Sequence, residues 1–399
     1  MLKTFESLYL PAVFVLILYP ILMVLFAVFY ILKFNFGAFE ITCFVCTYYV
    51  CSISVGVGLH RYWSHNSFKL NKVVEFILAV FSAATLQGPI LVWASDHAKH
   101  HAFTDTELDP HSPKKFKNSF KGFLWSHIGW MLFRRSPSAS IHKPTFVRLN
   151  RKNFVMWQMK YYWQIAIFMN LFFPFAIGYF IMSNSLTYGF SAVIFCGLAR
   201  FAQQQVTFLI NSVTHFFGKK TYYDGSAGDI WWLFPVLGGE NWHNFHHAFP
   251  SDYRNGSMWY HFDLHKWVIY LLYLLGLAKE MKVTPFFRLE SKKEEFLENN
   301  FSMIKQKWLD IVNNFCNTQV SIDNFSPKDL SELLINNTKL FVHSLRSKVI
   351  KNNNLLLKTY SQINVNSFSK TLSYSKCCKL FKNLRKALFE IEKSLILSN

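Results

Sequence analysis

Charge is what this sequence has least of. Only 16 % of its 399 residues are charged, against about 25 % in soluble domains, and 23 Asp and Glu face 42 Lys and Arg. With 51 % hydrophobic residues, the chain does not fit an ordinary soluble domain, and a membrane protein is the first expectation. Cysteine is sparse as well: there are seven, several inside apolar stretches and two adjacent as Cys377-Cys378, which leaves no disulfide framework. No flavin, haem or iron–sulfur motif is present, and no His-Pro-Gly-Gly. No basic segment with a small-residue cleavage site precedes the first apolar run, so that run is expected to stay as an anchor. The net charge of +19 is spread over loops and the C-terminal third. That pattern suits positive-inside flanks and anionic lipid and speaks against nucleic acid as a partner.

What is present begins with long apolar runs. Residues 11–33 and 39–59, joined by the short link 34–38, each have about the 20 residues a bilayer crossing needs. A second pair covers 162–182 and 187–210, joined by Ser183-Asn184-Ser185. Neither link contains Lys or Arg, so both termini and both large loops are expected in the cytosol. Arg200 and Gln203-Gln204-Gln205 lie inside the fourth run, and polar groups at that depth face the bundle interior. The apolar segment 73–93, interrupted by Gln87-Gly88-Pro89, is expected to lie in or under the interface, as is the amphipathic run 267–278. Asp109-Pro110-His111 is expected as a turn, and 125–133 as a short amphipathic piece. Residues 1–285 then form a four-helix transmembrane domain with a cytosolic cap. Residues 286–399, rich in Lys, Asn, Ser and Glu, form a basic C-terminal extension, partly helical and partly linker.

Between the runs stand the histidines. Of fifteen, nine fall into a pattern: His60 and His65; His97, His100 and His101; His215; and His243, His246 and His247. The remaining six, His111, His127, His142, His261, His265 and His343, are expected to be satisfied polar groups. On a helix the first and last members of His-x-x-His-His share a side, while the member between is turned by roughly 100° from its neighbour. Each run therefore grips one ion with its i and i+4 pair and offers its i+3 ring to a second. His60 and His65, about 140° apart on an α-helix, converge only if the helix end unwinds, which Gly56 and Gly58 would permit. Zinc is usually four-coordinate, whereas nine imidazoles around two ions suit iron better. An iron pair activates dioxygen, and beside a bilayer it suggests oxidation of an acyl chain.

HRYWSH, DHAKHH and NWHNFHH, in this order and separated by paired spans, resemble the three histidine boxes of the membrane acyl-CoA desaturases of the stearoyl-CoA (Δ9) type. The resemblance covers about residues 10–285. It implies an all-α membrane fold of four transmembrane helices in two hairpins under a cytosolic helical cap. It implies two ferrous ions, one held by His60, His65, His97, His101 and His246, the other by His100, His215, His243 and His247. Asn211, in the segment INSVTH, would hold a metal-bound water. Gln87, Trp93 and Thr207 would shape the kink of an acyl tunnel and Tyr48 close its far end, while Asp96, Arg134 and Arg135 would meet coenzyme A. Ser95, Gly88 and Phe208 depart from residues usual in the family, and the stretch 109–134 is longer than in animal members.

The reaction implied is insertion of a cis double bond into a saturated fatty acyl-CoA, stearoyl-CoA to oleoyl-CoA, with O2 as cosubstrate. Electrons would come from cytochrome b5 and its NADH-dependent reductase, in the endoplasmic reticulum membrane. Two alternatives remain open: a di-iron lipid hydroxylase or a desaturase of another lipid, and, from a different class, a histidine-rich polytopic zinc carrier.

Overall fold

The computed structural model describes residues 8–133, 141–296 and 299. Arg134, Arg135, His343 and nearly all of the C-terminal extension lie outside the described residues. Four helices are long and apolar enough to cross a bilayer, Leu10–Lys33, Ala38–Ser64, Tyr162–Ile181 and Leu186–Phe216, in two hairpins with links of four residues, 34–37 and 182–185. The chain is a membrane protein of helical architecture. The fourth span packs against each of the other three. Leu32, Phe180 and Phe190 are well exposed on the outer faces of the spans, a surface suited to lipid. Arg200, expected to face inward, is 2 % exposed and donates to the Tyr19 hydroxyl at 2.7 Å.

Two spans reach further than hydropathy alone suggested. The fourth runs to Phe216, so Asn211 and His215 ride on it. The second continues past residue 59 to Ser64 in a π-helical winding over Ser54–Ser64. Unwinding was the expected way to bring His60 and His65 together; a wider turn does it instead. The His65 amide donates to the His60 carbonyl, five residues back, at 3.1 Å, and i→i+5 bonding stacks residues that an α-helix would splay. Ser64 Oγ covers the Leu59 carbonyl at 2.7 Å. The glycines serve close approach: a Cβ on Gly56 would stand 2.1 Å from the His265 ring.

The apolar segment 73–93 is not one interfacial helix but two helices, Lys72–Ala84 and Ile90–Phe103, which meet at a break. Gly88 stands there at φ +100° and Leu86 at +54°, and Pro89 could not continue a helical hydrogen-bond ladder. Backbone groups freed by the break find side chains. Tyr162 Oη accepts from Gly88 N at 2.9 Å, Gln158 Oε1 accepts from Ile90 N at 3.1 Å, and Gln204 Nε2 donates to Thr85 O at 2.9 Å. These partners come from the third and fourth spans and the short helix before them, so the break fixes the box-bearing helix to the bundle. The 267–278 run forms a helix over Leu264–Leu274, capped by Asp263, which accepts from Lys266 N at 2.9 Å. Its end turns into a short antiparallel ribbon, Ala278–Lys279 paired with Lys69–Leu70. Val57, Leu59, Trp63, Ile90, Leu91, Leu149 and Ile269, all fully buried, form the core where the second span, the broken helix and this cap meet.

Candidate metal centre

The nine histidines singled out by spacing converge. One group has ligand-capable nitrogens of His60, His65, His97 and His246 all within 4.8 Å of one another, and a second gathers His100, His215, His243 and His247 in the same way. His101 joins the first through His246, Nε2 to Nε2 at 2.9 Å, and its ring stacks on His247 of the second at 4.4 Å. The division follows helix geometry: His97 and His101 share one side of the helix Ile90–Phe103 and His100 the next, and His243 and His247 part in the same way from His246.

Whether these residues suit a metal is decided by where their protons lie. In the second group the Nε2 atoms form a row, His100 to His247 at 3.2 Å, His247 to His243 at 3.1 Å and His243 to His215 at 3.0 Å. His100 gives its Nδ1 proton to Asp109 at 3.0 Å. His215 gives its own to Ser226 Oγ at 2.6 Å, whose hydroxyl in turn donates to Asp105. Both ends of the row therefore present bare lone pairs. Protons on His247 and His243 could satisfy the two outer contacts, but the middle one would then set hydrogen against hydrogen. A cation drawing all four lone pairs inward satisfies every contact, and carboxylates behind imidazoles are the usual outer partners of such ligands.

Electrostatics agree. Burial, reinforced by neighbouring imidazoles, holds His65, His97, His100, His243, His246 and His247 well below 6.5, and His101 falls to about 3. These rings are neutral at physiological pH, the form that binds metal. Glu240 lies behind the first group. Its Oε2 accepts from His60 Nδ1 at 2.9 Å and Asn255 Nδ2 at 2.6 Å, its Oε1 from His265 Nδ1 at 2.9 Å and Arg61 at 3.1 Å. Burial pushes this carboxyl up, but His60, Arg61 and the hydrogen bonds outweigh it and hold the group well below 4.5.

Two non-histidine members of the boxes, Arg61 and Asn244, are structural. Arg61 forks onto Asp263 at 2.9 and 3.2 Å. Asn244 clamps the preceding turn, its Oδ1 accepting from Thr221 N and Tyr222 N at 2.8 Å and its Nδ2 donating to Ala227 O at 2.8 Å. Asp229 caps the helix His243–Ala248 through Asn244 N at 2.7 Å.

The other sequence-predicted residues fall into three sets. Gln87 Nε2 donates to Thr207 Oγ1 at 3.3 Å and to Gln203 Oε1 at 3.2 Å, and Trp93 Nε1 donates to Gln87 Oε1 at 3.4 Å. Trp93 also stacks on His97 at 5.0 Å, so this trio abuts the first group. Thr207 and Gln203 line a narrow cavity with Ser52, Gly56, Val236 and His265, and Tyr48 donates to Val236 O at 2.8 Å. Asn211 stands one turn before His215 on the same helix, and Asp96 is buried with its charge acting on His111. Arg134 and Arg135 are not described.

Glu240, Asp109, Asp105 and Ser226 gave no periodic signal in the sequence and were missed. Two histidines set aside as ordinary polar groups also belong here. The His111 ring lies 4.1 Å from that of His100, tilted by 32°, and His111 shares a potential ligand group with it and Asp109, and His265 holds Glu240.

Residues 37–274 match the fatty acid desaturase family. Over 245 residues the chain is 36 % identical to a probable acyl-CoA desaturase of Schizosaccharomyces pombe, covering 61 % of this chain and 49 % of that protein. It is 33 % identical over 237 residues to acyl-CoA desaturase 1 of Saccharomyces cerevisiae, covering 59 % and 44 %. It is 34 % identical over 238 residues to an sn-2 palmitoyl-lipid 9-desaturase of Nostoc, covering 59 % and 78 %. The matches thus span about half the length of the two yeast relatives.

Proposed function

The chain belongs to the fatty acid desaturase family, and from that premise we propose that it is an acyl-CoA Δ9-desaturase that introduces a cis double bond into saturated fatty acyl-CoA, stearoyl-CoA among them. The observation that carries the reading is the contact between the first imidazole group and the Gln87–Trp93–Thr207 network, where the bundle meets the cap. In this reading the nine histidines hold two irons, with Asn211 on a bound water. Iron so held supplies the oxygen-activating redox chemistry that an unactivated methylene demands.

The remaining work belongs to the chain's own residues. Gln87, Trp93 and Thr207 bend and fix the acyl chain so that one carbon–carbon bond lies at the metals, a positioning effect. Tyr48, through Val236, closes the far end. Arg134 and Arg135 meet the phosphates of coenzyme A, for which guanidinium is suited, with Asp96 as a further contact. Overall, two hydrogens leave adjacent methylenes, and O2 with two electrons and two protons yields two waters. Electrons come from cytochrome b5 and its NADH-dependent reductase, at a basic cytosolic face suited to an acidic partner. The enzyme sits in the endoplasmic reticulum membrane with both termini in the cytosol, and residues 286–399 are an appended extension.

A lipid-linked substrate is the second reading, favoured by the likeness to the Nostoc palmitoyl-lipid desaturase. Incubation with stearoyl-CoA, NADH and the reducing partners, followed by location of the double bond, tests both. A 9-alkene on the acyl-CoA is expected. An alcohol product, or turnover only of membrane lipid, overturns the acyl-CoA desaturase assignment.

A further inference from the structure

His265 sits where the cavity wall and the first imidazole group meet. Its ring is wedged between two glycines: an added Cβ would stand 2.1 Å from it at Gly56 and 3.0 Å at Gly238. It is 1 % exposed, and both of its nitrogens are engaged. Nδ1 lies 2.9 Å from Glu240 Oε1, and Nε2 lies 3.2 Å from Ser52 Oγ on the second span.

The direction of the bonds onto Glu240 is fixed by chemistry. Arg61 can only donate, and it gives Glu240 Oε1 one hydrogen bond at 3.1 Å; Asn255 Nδ2 gives Oε2 another at 2.6 Å. Both carboxylate oxygens therefore accept throughout. His265 then donates from Nδ1, leaving Nε2 to accept from the Ser52 hydroxyl. On the far side His60 donates from Nδ1 at 2.9 Å, which leaves its Nε2 bare and turned toward His246 at 2.9 Å. Three hydrogen bonds lead without a gap from the cavity wall to a metal-facing nitrogen. With two donors on each oxygen the carboxylate cannot turn. Without His265, Oε1 keeps a single donor, because the fork of Arg61 is already spent on Asp263, and the carboxylate is free to rotate out of line with His60.

We propose that His265 is a positioning residue for the first metal group: by holding Glu240 Oε1 it keeps Oε2 on His60 and so fixes that ligand's tautomer and ring orientation. This rests on the metal reading given above. Its Ser52 bond places the same ring on the cavity wall, so the wall and the ligand share one element.

The test separates the two nitrogens. Asparagine offers an amide near the Nδ1 position and can still donate to Glu240, whereas glutamine offers one near Nε2 and reaches Ser52 instead. Full-length His265→Asn, His265→Gln and His265→Ala proteins are purified with wild type, loaded with ferrous iron, and compared for iron per chain against a competing chelator and for thermal unfolding. Wild type and His265→Asn should retain iron in both groups. His265→Gln and His265→Ala should bind iron at the first group roughly 10- to 100-fold more weakly, the usual effect of losing an outer partner, with the second group still loaded. A packing role against Gly56 and Gly238 predicts equal losses for Asn and Gln, and that result overturns the proposal. Wild type that binds no iron would instead overturn the metal reading beneath it.

Discussion

The rings of His60 and His65 stand 5.0 Å apart at 78°, although the two residues are five positions apart on one helix. Their approach comes from the π-helical end of the second span, and that winding leaves room for His265 directly against Gly56. The metal group, the helix geometry and the cap are thereby one packing problem.

Gly56→Ala tests that packing. The new methyl group overlaps the His265 ring, and overpacking of a buried site costs about 1–3 kcal/mol. Thermal unfolding in detergent should show a lower midpoint for Gly56→Ala. Ile41→Ala, on the exposed face of the same span, should leave the midpoint close to wild type.

Asp109→Asn tests the carboxylate behind the second group. Asparagine can still accept from His100 Nδ1 but carries no charge, so the ligand loses the electrostatic part of its support. Iron affinity at that group should fall roughly 10- to 100-fold, seen as faster loss to a chelator. Unchanged retention would mean that Asp109 serves only the turn, where it also accepts from Asp105 N and His111 N.

The neutral imidazoles set a pH dependence. Burial, first among the causes, and neighbouring histidines hold the folded pKa of His65, His97, His100, His243, His246 and His247 well below 6.5 and that of His101 at about 3. The unfolded chain then binds more protons than the folded one below about pH 6.5, so these rings leave stability unchanged above that pH and lower it progressively as pH falls from there toward their folded values. The unfolding midpoint of metal-free protein should drop between pH 7.5 and 5.5. A midpoint that is flat or rises over this interval contradicts the neutral assignment.

Thr207→Val keeps the shape of the cavity wall and removes the hydroxyl that Gln87 and Gln203 share. Loss of a buried hydrogen bond costs about 1–3 kcal/mol, which corresponds to roughly a five- to hundredfold fall in turnover if it acts on the reacting geometry. A mixture of double-bond positions should accompany the fall. Wild-type rate and a single product would remove Thr207 from the positioning network.

Much of this architecture was legible from residue order. Two His-x-x-His-His runs carry their own geometry, because the helix period alone sorts His97 and His101 from His100, and apolar length with charge-free links gave four spans in two hairpins. The π-helical turn was not legible, because five-residue spacing reads as divergence on any ordinary helix. Gln87-Gly88-Pro89 did signal a break, yet the apolar run around it read as continuous; the partners that make the break stable, Tyr162, Gln158 and Gln204, lie some seventy or more residues away. Glu240 and Asp109 are isolated carboxylates in the sequence, and a lone carboxylate leaves no pattern to read.

The central claim is that two irons are held by imidazoles drawn from three distant stretches of the chain. Elemental analysis of purified protein, run beside His246→Ala and His247→Ala, addresses it most directly. The account predicts two irons per wild-type chain, one for each group, with His246→Ala losing iron at the first and His247→Ala at the second. Zinc in place of iron, or variants that keep the wild-type content, would contradict it.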